Sequence, residues 1–307
     1  MESNKQSTVE GTPKAELKID ESLVASLLRE QHPDLAPLPI RLADSGWDNV
    51  MFRLGDQLSV RLPRRKIAAK LIEHEQIWLP IIAQRLNIPI PTPIRLGKPT
   101  AKYPWRWSIL PCLEGVTADR ELPNQDEAKL FGLFLRSLHQ PAPPDAPDNS
   151  VRGVPLKQRA TALETRIKSL KSKTDLITPE IEHIWHRALD TPVDVEAKWL
   201  HGDLHPGNVL VRKGIIVGVI DWGDLTSGDV ATDLASFWLL FGSKNVRQEA
   251  IAEYGNVSLS TLHRAKGWAI YFAVTLLDVG LVDNPDYADV GKRTLSWVAE
   301  DELLQDL

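Results

Sequence analysis

The sequence predicts an α+β fold in two lobes: a strand-rich first third with one long helix, then a mostly helical remainder. Three observations carry that expectation. Residues 49–54 and 57–62 are apolar-rich runs on either side of Gly55-Asp56, the pattern of two strands joined by a hairpin turn. Beyond residue 125, apolar residues recur three and four apart in one segment after another. The length of 307 residues suits two domains, or one large domain of two lobes.

The elements follow in chain order. Leu23, Val24, Leu27 and Leu28 stand at helical spacing, and Pro33 ends that helix. Strands are expected over about 39–63, then a helix from about Ile67 to Leu86 that Pro80 should kink. The Pro-rich segment 88–93 leads into strands near Ile94 and over 107–110. Residues 125–139 read as an amphipathic helix with Leu130, Leu133, Phe134 and Leu138 on one side. Prolines exclude helix over 141–147. Residues 156–173 and 179–188 read as a helical hairpin with a charged surface. Apolar strands over 209–211 and 215–220 turn at Lys213-Gly214, and helices are expected over about 229–241, 246–254, 260–281 and 287–304. Residues 1–20 are expected as a disordered polar tail, 21–110 as the first lobe and 111–307 as the second.

Composition narrows the class. Cys112 is the single cysteine, which excludes an intrachain disulfide and a cysteine-built zinc site and fits a reducing, cytoplasmic setting. No run of about eighteen apolar residues is present, so no membrane span is expected. The polar N-terminus lacks the apolar stretch of a signal peptide. A net charge of -5 counts against nucleic acid as a partner. From residue 221 onward, fourteen Asp or Glu stand against six Lys or Arg, a balance that would steer a cationic substrate or merely solvate helical surface.

The chemistry concentrates in two motifs. His201-Gly202-Asp203-Leu204-His205-Pro206-Gly207-Asn208 sets an Asp and an Asn five residues apart in a tight loop, and Val219-Ile220-Asp221-Trp222-Gly223 brings a second Asp at the end of a strand. Phosphoryl transfer needs such a set: one carboxylate at the acceptor hydroxyl, and an amide and a carboxylate for magnesium. Asp203 is the candidate catalytic carboxylate, and Asn208 and Asp221 the candidate metal ligands. His201, Asp203 and His205 could instead be metal ligands, but alternation within a five-residue turn points three side chains apart. His201 fits better as a residue holding the loop through backbone bonds.

With its flanks, HGDLHPGNVLV…GVIDWGD…GDVATDLA resembles the aminoglycoside phosphotransferase family, which includes macrolide and other antibiotic kinases. The resemblance covers roughly residues 22–300. It implies a protein-kinase-like fold with an antiparallel-sheet N-lobe and a mostly helical C-lobe. It also implies ATP or GTP as donor, magnesium as cofactor, and a small-molecule hydroxyl as acceptor, with the nucleotide between lobes.

The same resemblance implies roles in the first third. Residues 43–49 stand where the family covers phosphate, so backbone N–H groups of Gly46 to Asn49 could cap phosphate oxygens; an ordinary hairpin turn is the alternative. Arg61 stands where kinases carry a phosphate-binding Lys, with Glu75, or else Glu73, as its acidic partner. Residues 107–115 resemble the hinge, where Cys112 or Leu113 would offer a backbone N–H to the purine, Pro111 having none. Asp229 should cap a helix, and Asp233 and His139 should be structural. Trp268, Tyr271, Thr275 and Asp278 share a helix face and form either a core stripe or an acceptor pocket suited to an amino sugar.

Two functions compete within this reading: an antibiotic-modifying kinase and a housekeeping or biosynthetic small-molecule kinase. A non-catalytic nucleotide-binding scaffold is a third, weakened by the presence of Asp203, Asn208 and Asp221 together. Neither the acceptor nor the oligomeric state is written in the sequence.

Overall fold

A computed structural model describes residues 14–46, 48–282 and 284–303. Most of the segment expected as a tail, residues 1–13, lies outside the described residues. Residues 14–20 are packed rather than loose: Leu17 and Ile19 lie against a core cluster, and the Glu16 N–H donates to the Arg64 carbonyl. The chain divides into two compact units. One runs to Ile81 and takes in Pro91–Cys112; the other is Ile82–Ile90 with Leu113 onward. Residues 82–90, inside the range expected for the first lobe, thus belong to the second unit.

The first unit is built on α1 (Glu21–Gln31), β1 (Ile40–Ser45), β2 (Asn49–Leu54), β3 (Leu58–Pro63), α2 (Lys66–Ile82), β4 (Arg95–Gly97) and β5 (Trp107–Pro111). Its five strands form one antiparallel sheet in the order β1-β2-β3-β5-β4. Asp20 caps α1 by accepting from the Leu23 N–H, and Val24, Leu27 and Leu28 of that helix join Phe52, Val60, Leu62 and Trp107 in the core. Strand alternation puts Arg61, between Val60 and Leu62, on the opposite face of β3. There it meets Glu75 of α2. Pro80 stays inside α2, which is followed by a short 3-10 turn, Ala83–Arg85.

The second unit holds β6 (Val116–Thr117), α3 (Glu127–Leu138), α4 (Ala160–Leu170), α5 (Pro179–Asp190), β7 (Lys198–Leu200), β8 (Val209–Arg212), β9 (Ile215–Val219), β10 (Thr226–Gly228), α6 (Ala231–Leu234), α7 (Ser236–Leu240), α8 (Lys244–Tyr254), α9 (Leu259–Gly280) and α10 (Pro285–Leu303). β8 and β9 pair as expected, and β6 adds a third strand beside β8. β10 pairs with β7. The single helix expected over 229–241 is two short ones. The Ser236 hydroxyl donates to the Asp233 carbonyl at 2.6 Å, in competition with the helical ladder at the break. α9 is buried along most of its length. α10 lies in backbone contact with it: a Cβ at Gly291 would come within 2.6 Å of the Ala273 carbonyl oxygen. No helix among the described residues is long and apolar enough to cross a membrane.

Candidate functional site

The loop after β7 is held from below by one carboxylate. Asp233, fully buried at the start of α6, accepts from the His201 N–H at 2.7 Å and from the Gly202 N–H at 2.9 Å. Gly202 turns the chain with φ +86, where a Cβ would strike the Asp224 carbonyl oxygen at 2.5 Å. The His201 Nε2 donates to the Ile220 carbonyl at 2.9 Å, which leaves Nδ1 to accept from the Asp203 N–H at 3.2 Å. His201 therefore serves the loop through backbone bonds. His139 sits behind Asp233, its Nε2 3.3 Å from Oδ2 and its Nδ1 2.9 Å from the Tyr254 hydroxyl. Asp229 accepts from the Ala231 N–H at 3.2 Å and pairs with Arg264 at 2.6 Å.

Asp203 and Asn208 are tied across a short 3-10 turn, Pro206–Asn208, whose Gly207 N–H donates to the His205 Nδ1. The Asn208 Nδ2 donates to the Asp203 carbonyl at 2.8 Å, so its Oδ1 is the side-chain atom suited to a cation. The Ile220 N–H donates to the Asn208 carbonyl at 2.9 Å, which fixes the residue preceding Asp221 against the loop. Asp221 adopts left-handed backbone (φ 58, ψ 70), a conformation that costs a non-glycine residue about 1–3 kcal/mol. Buried Trp222, with Nε1 donating to the Val219 carbonyl, anchors the chain just after it. The amide oxygen of Asn208 and the exposed carboxylate of Asp221 are hard oxygen donors, the set magnesium prefers. Among the described residues, no group of three or more His, Cys, Asp or Glu side chains could hold a metal ion.

Sequence reasoning missed Arg152. Its Nη2 donates to the Asp203 Oδ1 at 2.5 Å, its Nε lies 3.9 Å from the Asp224 Oδ2, and its guanidinium covers the Phe272 ring at 5.1 Å. Asn149 aims it by accepting from the N–H groups of Val151 and Arg152, while its own amide donates to Asp224 at 2.7 Å. The only signal in the sequence is an Asn three residues ahead, an Asx-turn former. Burial alone would raise the Asp203 carboxyl, but the charges of Arg152 and His205 hold it well below the usual carboxylate range. Asp224 moves the other way: burial and the Asp203 charge raise it against the pull of Arg152 and Asn149.

A cavity of about 170 Å³ opens beside Asp203. Arg152, Asp203 and His205 form one side, and Tyr271, Phe272, Thr275 and Leu276 of α9 the other. Of the four residues expected on one helix face, Tyr271 and Thr275 line it, while Trp268 and Asp278 do not. Trp268 is fully buried in the core, one turn back on a helix packed on most sides. Asp278 is neutralised by Arg166 at 2.8 Å and Lys173 at 3.7 Å and does not face the cavity.

In the first unit, Arg61 Nη1 and Glu75 Oε2 are 3.0 Å apart and almost wholly buried. Glu73 lies instead 3.8 Å from Arg106. With its amide oxygen turned toward the guanidinium, Asn49 accepts from the Arg61 Nη2 at 2.9 Å and Nε at 3.1 Å. Asn49 therefore orients Arg61. The Gly46 N–H, expected at phosphate, donates to the Asn49 carbonyl and closes a hairpin turn. Trp47 of that loop lies outside the described residues. The Cys112 N–H, a candidate for the purine, donates instead to the Gln57 carbonyl at 2.8 Å. Leu113, the other candidate, belongs to the second unit and packs its side chain over Gly218.

An antiparallel-sheet unit followed by a helical unit with this loop defines a protein-kinase-like phosphotransferase fold. Residues 39–268 match the phosphotransferase enzyme family APH, and the chain belongs to that family. A curated relative, "Stress response kinase A" of Shigella flexneri, is 25% identical over 223 residues, covering 66% of this chain and 63% of its own length. The match therefore spans under two thirds of that relative. Among solved structures, the GDP and kanamycin complex of APH(2")-IIia has a TM-score of 0.62 at 17% identity, covering 92% of this chain and 99% of that one. Macrolide 2'-phosphotransferase MphH from Brachybacterium faecium has a TM-score of 0.57 at 16% identity, covering 89% and 97%.

Proposed function

We propose that the chain transfers the γ-phosphoryl group of ATP, with GTP the alternative donor, to a hydroxyl of a small molecule. The observation that carries this reading is the loop in which Asn208 is bonded to Asp203 while its carbonyl takes the N–H of the residue before Asp221. Family membership and the nucleotide bound by a structural neighbour support it. In this reading Asp203 accepts a hydrogen bond from the acceptor hydroxyl and takes its proton as the new oxygen–phosphorus bond forms. The bond from the γ-phosphorus to its bridging oxygen breaks, and the nucleoside diphosphate leaves with the electron pair. Such general-base help is worth about 10²- to 10⁴-fold. Asn208 and Asp221 would hold magnesium, whose charge offsets that of the triphosphate. Arg61, braced by Glu75 and Asn49, is the phosphate-facing cation of the first unit, and the Leu113 N–H the purine contact. The lone cysteine and the need for ATP fit a cytoplasmic setting.

The experiment is a phosphate-incorporation screen with labelled ATP across a panel of small alcohols, run on wild type and Asp203→Asn. Magnesium-dependent labelling that the substitution removes is the expected result. Equal labelling by both proteins would overturn the role of Asp203.

A further inference from the structure

We propose that the cavity beside Asp203 takes an alcohol that carries an oxyanion, a carboxylate or a phosphate monoester, and that Arg152 recognises it. The inference rests on the reading of Asp203 as the carboxylate that meets the acceptor hydroxyl. It says which hydroxyl compounds reach that carboxylate.

The charges of the wall come first. The one acid of the lining, Asp203, is paired with Arg152 at 2.5 Å; Asp224, behind it, shares that guanidinium at 3.9 Å, and Asp278 is paired with Arg166 and Lys173. An amino sugar brought here would meet a guanidinium before it met an unmatched carboxylate of the lining. Arg159 donates to the hydroxyl of the lining residue Tyr271 at 2.8 Å and lies over its ring, a phenol and not a carboxylate. Arg159, Arg166 and Lys173 recur every seventh residue and bond Tyr271 or Asp278, themselves seven apart on α9. Along this seam three cations meet one carboxylate, and the local excess is positive.

Unmade hydrogen bonds are the second argument. The Arg152 Nε, 3.9 Å from the Asp224 Oδ2, and the hydroxyl of Thr275 are buried and make no hydrogen bond among the described residues. Buried donors without acceptors are costly. A guanidinium fork matches the geometry of carboxylate and phosphate oxygens, and Thr275 lines the same cavity.

The third argument is competition for one oxygen. Arg152 occupies the Asp203 Oδ1. A neutral alcohol would compete with the guanidinium for Oδ1 or take Oδ2, which lies 3.5 Å from the Asn208 Nδ2 and the His205 Nε2. An oxyanion on the acceptor would draw Arg152 to itself and leave Asp203 to the hydroxyl. Recognition and exposure of the base would then be one event.

The test uses matched acceptors with the full chain, ATP and magnesium: glycerol, D-glycerate and glycerol 3-phosphate, then glucose, gluconate, glucose 6-phosphate and glucosamine. Within each set an oxyanion member should exceed the neutral one in kcat/KM by about 10- to 100-fold, the worth of one charge-assisted contact, and glucosamine should be poorest. Whether carboxylate or phosphate leads identifies the oxyanion. Arg152→Gln should bring the preference close to one, and Arg152→Lys, which keeps the charge, should restore part of it. Neutral or amino members matching the oxyanion members, or a preference that survives Arg152→Gln, would overturn the inference. Should no member accept phosphate, the phosphotransfer reading suffers and binding decides this one. Thermal-shift titration with gluconate, glucose 6-phosphate and inorganic phosphate should then show stabilisation that Arg152→Gln abolishes. No stabilisation of the wild type by any of the three would remove the oxyanion site.

Discussion

The carboxylate of Asp233 lies 2.7 Å from the backbone nitrogen of His201, and that bond ties a buried helix to the loop carrying Asp203. The same carboxylate also holds Gly202 and faces His139. Asp233→Ala would strand two buried N–H groups at once. We expect it to lose about 3 kcal/mol or more of folding stability and to lose phosphoryl transfer with it. Chemical denaturation measures the first and turnover the second. A variant as stable as wild type would mean that the loop finds its shape without this brace.

The electrostatics of Asp203 set a pH dependence. Burial works to raise its carboxyl, and the charges of Arg152 and His205 overcome that and hold it low. Asp203 is then ionised throughout the mildly acid range, so its protonation should not limit kcat/KM there. Removing the guanidinium in Arg152→Gln leaves burial less opposed, and the acid limb of the rate profile should move to higher pH. An unmoved limb would show that another group governs it.

Asp203 and Asp221 should separate kinetically. Asp203→Ala is expected to cut turnover by about 10²- to 10⁴-fold with little change in nucleotide affinity. Asp221→Ala should weaken binding of the magnesium–nucleotide complex itself, read by titration calorimetry. Identical defects in the two variants would argue against distinct roles.

Much of this was legible in the sequence because local periodicity forced it. The hairpin at Gly55-Asp56, α1 before Pro33 and the β8–β9 pair follow from patterns a few residues wide. β6 and β10 are two and three residues long, and their existence depends on partners far along the chain. Arg152 escaped notice for the same reason: its partner stands 51 residues away, and no motif surrounds it. Trp268 shows another limit. A helix buried on most sides has no polar face to mark its orientation, so spacing alone could not tell core from cavity wall. The backbone commitments of Gly46 and Cys112 are set by tertiary closure, which side-chain identity does not encode.

The cap of α1 supplies a check on stability. The Asp20 carboxyl is lowered from 3.8 to about 2, first by the Leu23 N–H, then by Ser22 and Lys18. A depressed native value means that its contribution is complete above the unfolded value of 3.8 and fades as pH falls through about 2. Asp20→Ala should therefore melt below wild type at pH 7 and converge with it near pH 2. Parallel melting curves across that range would show that the cap does not titrate with folding.

α9 presents Tyr271, Phe272, Thr275 and Leu276 to the cavity, while the carbonyl of Ala273 abuts the bare Cα of Gly291. One extra methyl at 291 would wedge the two helices apart and drive the aromatic wall forward. The width of the cavity is thus set in part from behind, by a residue that does not line it. Homologous chains that enlarge this position would have to narrow their portal or shift the whole rod.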